Sequence, residues 1–262
     1  MNSWPFPPST QEAQLDEKWS FVFKKQKQCQ ADAPADARCG DCWDHVALDP
    51  EHRLVVSVVV GKRTEDNARQ LVYELRERTD GRPLNLISSD EYPAYATAIA
   101  QVYAQPAATG GTSGLPEELV YATVHKVREG NRVVRLETRL VFGTLVSLVA
   151  ALTWAVLSWV NTVFVERSNG TDRHRNSRKV RKTYRFSKDW GVQEAMTYFT
   201  LYSSNYCCPV RTLRQEVATR RYRQRTPAMA AGLADHVWSL REWLTYPTID
   251  AAKRRSRSRQ QS

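Results

Sequence analysis

With 262 residues, 42% of them hydrophobic and 25% charged, the chain has the composition of a globular protein with one sizeable core, so disorder is not the default. A net charge of +10 and a pI near 9.5 call for a polyanionic partner, nucleic acid first and an acidic membrane surface second. Five cysteines, an odd number, with no signal peptide at the start, argue against a disulfide framework and for a reducing cytoplasm.

Residues 1–13 are proline-rich and read as an irregular lead-in. In Q-L-D-E-K-W-S-F-V-F, Trp19, Phe21 and Phe23 alternate with period two, the mark of a strand, and this strand carries Asp16. A loop follows in which Cys39-x2-Cys42 has metal-ligand spacing, with Cys29 and His45 as possible further ligands. The pair stands alone in a loose insertion (28–42), so zinc at Cys29, Cys39 and Cys42 is not the favoured reading. D-H-V-A-L-D-P-E-H-R-L-V-V-S-V-V-V-G gives two more strands joined by a tight turn. Thr64 then caps a helix through Arg78, with Ala68, Leu71, Val72 and Leu75 at helical spacing.

L-N-L-I-S-S-D is a short apolar strand ending at Asp90, and the next helix opens at once with E-Y-P-A-Y. A carboxylate there faces the crevice where α/β sheets hold ligands. A flexible loop (105–118) and further strands lead to Leu140–Val165, 26 residues without a charge. That length fits a membrane span. The recurring Thr and Ser, Asn161 and the break at Gly143-Thr144 favour a buried strand, a turn and a core helix ending near Asn161, and no membrane partner.

The apolar run stops at Glu166. Beyond it, through Lys188, come nine Lys and Arg against a single acid, Asp172. On a helix, Asn169 and Arg173 share a face with Glu166. Asn169, Arg173, Arg175, Arg178, Lys179, Arg181 and Lys182 are therefore the candidate DNA-binding residues. An aromatic-rich helix closes the core near residue 206, a basic and Trp-rich extension covers 207–250, and 251–262 reads as a disordered basic tail.

The element order β-β-β-α-β-α, with an acid on the first strand, one after the fourth and one on a late helix, predicts an α/β, ribonuclease-H-like domain over 14–206. Its mixed sheet has five strands, three antiparallel and then parallel, flanked by helices. In that layout Asp16, Asp90 and Glu166 converge. Three carboxylates together raise one another's pKa, and divalent cations relieve this.

Q-L-D-E-K-W-S-F-V, S-S-D-E-Y-P-A-Y and F-V-E-R-S-N-G-T-D-R followed by K-T-Y-R-F-S-K resemble the catalytic core of the DDE transposases of the insertion-sequence-one family, over roughly 14–206. T-P-A-M-A-A-G-L resembles a segment common near the C-terminus of such enzymes. The resemblance implies Asp16, Asp90 and Glu166 as catalytic, metal-binding acids for two Mg²⁺ (or Mn²⁺) ions, with Arg173 matching the family's basic residue. It implies cleavage and strand transfer at insertion-sequence ends, double-stranded DNA as partner, a homo-oligomer, and work at the nucleoid. Family members carry a zinc-finger and helix-turn-helix region ahead of the first Asp. Fifteen residues precede Asp16 here, so the expectation is a core lacking that region. The alternative is an inactive truncated copy that binds DNA and interferes with an intact one.

Overall fold

The computed structural model describes residues 8–247 apart from Ala31, 106–113, Asn131 and Arg181. Part of the lead-in, most of the 105–118 loop and the whole 251–262 tail thus lie outside the described residues.

Three antiparallel strands come first: β1 (Glu12–Val22), β2 (Gly40–Asp49) and β3 (Leu54–Gly61). Helix α1 (Glu65–Arg78) follows, its first turn capped by the Thr64 hydroxyl, which accepts from the Asn67 amide. The short β4 (Leu86–Ser89) then lies parallel to β1, with Glu12–Leu15 opposite Leu86–Ser89. Helix α2 (Pro93–Val102) leads on to a long hairpin, β5 (Tyr121–Glu129) and β6 (Arg132–Phe142). The order across the sheet is β3-β2-β1-β4-β5-β6. Placing β1 beside β4 is compatible with the ribonuclease-H-like layout. The sheet has six strands rather than five, because β6 folds back antiparallel along β5.

One face of the sheet packs against α1 and α2 through Leu15, Ala47, Val56, Leu71, Leu75, Ile99 and their neighbours. The other carries α4 (Val163–Arg175) and α5 (Trp190–Cys207), with Val46, Val58, Val165 and Leu201 between the layers. Edge strand β3 would leave backbone groups unpaired. Asn205 of α5 satisfies them at Val55, accepting from its amide at 3.0 Å and donating to its carbonyl at 2.9 Å. Ala228 and Leu233, beyond α5, join the same core as α1 and α2.

Gln14 sets where α4 begins. Its Oε1 accepts from the Phe164 and Val165 amides at 3.0 and 3.1 Å, two donors that the first turn of a helix leaves open. Its Nε2 donates to Asn161. An α4 held this way runs past Asp16, two residues further along β1.

The uncharged stretch forms the end of β6, a turn at Gly143 (φ +94°) and helix α3 (Leu145–Trp154). Two features differ from the sequence reading. The helix stops at Trp154, short of Asn161, and it is not buried. Leu148 and Ala151 reach the core, while Leu145, Val146, Val149 and Trp154 are 64–84% exposed. Composition alone could not show this, because an apolar helix laid over the far end of a sheet leaves its outer side bare. Among the described residues no helix is long and apolar enough to cross a membrane. Val146→Glu should change stability by no more than about 0.5 kcal/mol, and its place in the first turn favours an anion. Leu148→Ala should cost about 2–5 kcal/mol; urea unfolding of the two variants checks both figures.

Candidate functional site

β4 is short, so it parts from β1 at Leu15, and the acids gather at that parting. Asp16 follows on β1, and Asp90 is the first residue after β4. Carboxylate oxygens of Asp16, Glu17 and Asp90 lie within 4.8 Å of one another. Asp16 Oδ2 accepts from Asn169 Nδ2 at 2.8 Å, which ties α4 to the acid. Glu17 is held from behind: Tyr95 donates to Oε2 at 3.1 Å and Arg63 Nε to Oε1 at 2.9 Å. The Arg63 guanidinium in turn rests 4.1 Å from the Tyr92 ring centroid.

Glu166 sits at the rim, with its side chain 46% exposed. Lys126 Nζ donates to its Oε1 at 2.6 Å, and the Thr162 hydroxyl does so at 2.8 Å. Its charge still reaches the other acids and pushes up the pKa of both Asp16 and Asp90. The structure thus brings Asp16 and Asp90 together, adds Glu17, and turns Glu166 toward Lys126.

Burial is the main reason that all three clustered carboxyls titrate high. Asp16 is pushed up to about 7 by burial and by Asp90, Glu17 and Glu166, against the Asn169 hydrogen bond. Glu17 and Asp90 are raised as well, by burial first, with Asp90 acting on Glu17 and Glu166 on Asp90. Asp90 Oδ1 and Asn169 Oδ1 are buried acceptors without a hydrogen-bond partner. Unmatched buried oxygens beside crowded carboxyls are a hard-cation donor set, so the residues present fit Mg²⁺ or Mn²⁺.

The raised Asp16 pKa fixes a direction for stability. Between its ordinary value near 3.8 and about 7, the folded chain keeps a proton that the unfolded chain has lost. Its stabilising effect is therefore present at low pH and disappears as pH rises through 7. In chelator, Asp16→Asn should be more stable than wild type at pH 8, by up to about 4 kcal/mol. The gain should shrink by pH 5, as denaturant unfolding at the two pH values would show.

The candidate DNA contacts divide. Arg175 and Lys182 are exposed, Arg173 and Arg178 half-buried, and Arg181 lies outside the described residues. Two candidates need correction. Asn169 is buried and holds Asp16 instead of facing solvent. Lys179 is also buried, its ammonium 2.6 Å from both Asp44 Oδ2 and Thr197 Oγ1 and 3.4 Å from Asp172. Lys18 pairs with the same two acids, and Thr200 donates to Asp172 at 2.6 Å. Burial alone would push Lys18 down, yet Asp44 and Asp172 hold it above its ordinary value. Two cations and two anions thus neutralise each other in a buried cluster between β1, β2, α4 and α5.

Sequence reasoning passed over the cations nearest the acids. A cleft of about 440 Å³ beside Asp90 is lined by the cations Arg63, Lys126 and Arg128, the last two on β5, with His125 bonded to Glu91 in the same wall. The signal available was the basic alternation H-K-V-R at the tip of a strand.

Cys42 is buried in β2, its thiol pushed up to about 12 by burial. The Cys29 and Cys39 thiols hydrogen-bond to the Lys25 and Ala35 carbonyls, at 3.6 and 3.5 Å.

No family model matches the chain, and no curated protein matches it. A solved structure of a Mos1 transposase paired-end complex with left transposon end is similar over 36% of this chain and 33% of its own, at 16% identity and a TM-score of 0.24. The chain thus spans about a third of that protein. At that score the likeness carries no weight.

Proposed function

We propose that the chain is a DDE-type transposase core that cleaves DNA at insertion-sequence ends and transfers the strand, using divalent cations. The observation that carries the reading is the meeting of Asp16 and Asp90 where β1 and β4 part, with Asp90 Oδ1 unmatched and α4 holding Asp16 through Asn169.

Asp16 and Asp90 would hold the cations, and Glu166 would complete the set once it exchanges Lys126 for a metal. Such a pair of ions supplies an activated water or 3′-hydroxyl and stabilisation of the leaving oxygen. Glu17, fixed by Arg63 and Tyr95, keeps the negative field of the cluster in place. Lys126, Arg128 and Arg63 would seat the phosphate beside Asp90, and Arg173, Arg175, Arg178 and Lys182 would hold more of the backbone. Contacts of this kind bring affinity that falls steeply with salt. Two DNA ends have to be joined, so a homo-oligomer is part of the proposal.

One observation favours a second reading. Lys126 Nζ already neutralises Glu166 at 2.6 Å, as it would in a chain that binds DNA without turning it over. Purified protein with Mg²⁺ or Mn²⁺ and labelled duplex carrying candidate terminal repeats separates the two. Nicks bearing 3′-hydroxyls are expected for the enzyme. Salt-sensitive binding without nicks, together with stoichiometric inhibition of an intact transposase, would establish the interfering protein.

A further inference from the structure

The second half of β1 has lost β4 as a neighbour, and the segment that ends at Ser187 crosses beside it, Val22 bridging to Ser187 in parallel. The Phe23 amide donates to the Ser187 carbonyl at 2.8 Å. Ser187 Oγ donates to Gln193 Oε1 at 2.6 Å, and Gln193 Nε2 to Ser20 Oγ at 3.0 Å. These bonds fix the crossing segment and frame a cavity of about 540 Å³, within the range of about 300–1,000 Å³ usual for small-ligand sites. Its walls are aromatic and cationic: Trp19, Phe21, Tyr184 and Phe186, with Arg178 and Lys182. Phe21 and Phe186 stand 4.8 Å apart between ring centroids, and Trp19 and Phe21 5.9 Å. Tyr184 is 97% exposed, so packing does not account for its ring.

Flat apolar faces interleaved with cations match one chemistry well, a base stacked on an exposed ring such as Tyr184 while its phosphates meet Arg and Lys. The position fits too. At about 3.3–3.4 Å per strand residue, Trp19 lies about 10 Å and Phe21 about 17 Å along β1 from Asp16. A strand within a duplex advances about 3.4 Å per nucleotide and an unpaired one further, so the cavity lies no more than about three to five nucleotides from the acids.

We propose that this cavity binds an unpaired base of single-stranded DNA, a few nucleotides from the phosphate seated at Asp16 and Asp90. The assignment rests on the nucleic-acid reading above. A base inside a duplex keeps both faces stacked and cannot enter, whereas one in a single strand has little stacking to lose.

Fluorescence anisotropy of the full chain tests this with a labelled oligothymidylate and a fully paired duplex of equal length, for wild type, Trp19→Ala and Tyr184→Ala. Each variant should bind the single strand about fivefold or more weakly. Duplex affinity and the slope of log affinity against log salt should stay at wild-type values, because neither ring neutralises a phosphate. Thermal unfolding confirms that each variant is folded, and the exposure of Tyr184 keeps that variant informative. Wild-type single-strand affinity in both variants, with duplex binding intact, overturns the base pocket and leaves the nucleic-acid reading standing. A wild-type chain that binds neither DNA overturns both.

Discussion

Lys179→Ala is expected to cost about 3–5 kcal/mol of folding free energy. The reason is the company that the ammonium keeps. Lys18, Asp44, Asp172 and Lys179 are all 0–2% exposed at their side chains, and two positive charges offset two negative ones. Removing one cation leaves two buried carboxylates sharing Lys18 alone, an uncompensated buried charge whose lost Coulomb attraction is not recovered elsewhere. Burial alone would raise Asp44, yet Lys179 and Lys18 hold it below its usual range, so the loss would fall first on that carboxyl. Thr197 would lose the bond it accepts from Lys179, while Thr200 would keep its own to Asp172. Lys182→Ala, three residues on and exposed, should stay within about 0.5 kcal/mol. Urea unfolding of the pair measures the contrast, and equal midpoints would refute the buried network.

The second large effect is on chemistry. Asp90→Asn should reduce metal-dependent nicking by about a thousandfold or more while DNA affinity stays within about twofold of wild type. An amide keeps the shape of the side chain but removes a charge, and a hard divalent cation binds a neutral oxygen far less well. On the proposed reading, phosphate contacts would come from other residues, Lys126 and Arg128 beside Asp90 and the arginines of α4, so binding should survive. Gel-shift and cleavage assays on one preparation read both quantities. Cleavage by Asp90→Asn at the wild-type rate would remove Asp90 from the chemistry.

Much of the frame is legible in the residues. Trp19 and Phe21 mark β1, although the strand ends at Val22 and Phe23 turns out of it at φ +61°; Thr64 marks the start of α1, and an acid directly after the short run L-I-S-S marks the mouth of the sheet at Asp90. What escapes depends on partners far apart in sequence. Lys179 reads as one cation in a solvated basic run, because its partner Asp44 is 135 residues away. Asp172, the single acid in that run, looks incidental until the fold sets it between two lysines. Glu17 is hidden by strand logic, since neighbours on a strand point to opposite faces. At the place where β4 ends, both faces reach the same acid cluster. The exposed side of α3 is unreadable for a simpler reason: composition tells how apolar a helix is but not how much sheet lies beneath it.

Titrating Mn²⁺ into the chain by calorimetry, at pH 7.5 and without DNA, tests the metal centre most directly, because it needs no knowledge of the DNA end. Saturable binding in wild type that is lost in Asp16→Asn and Asp90→Asn is the expected result. No binding in wild type, or the same isotherm in all three proteins, would contradict a divalent-cation site where β1 and β4 part.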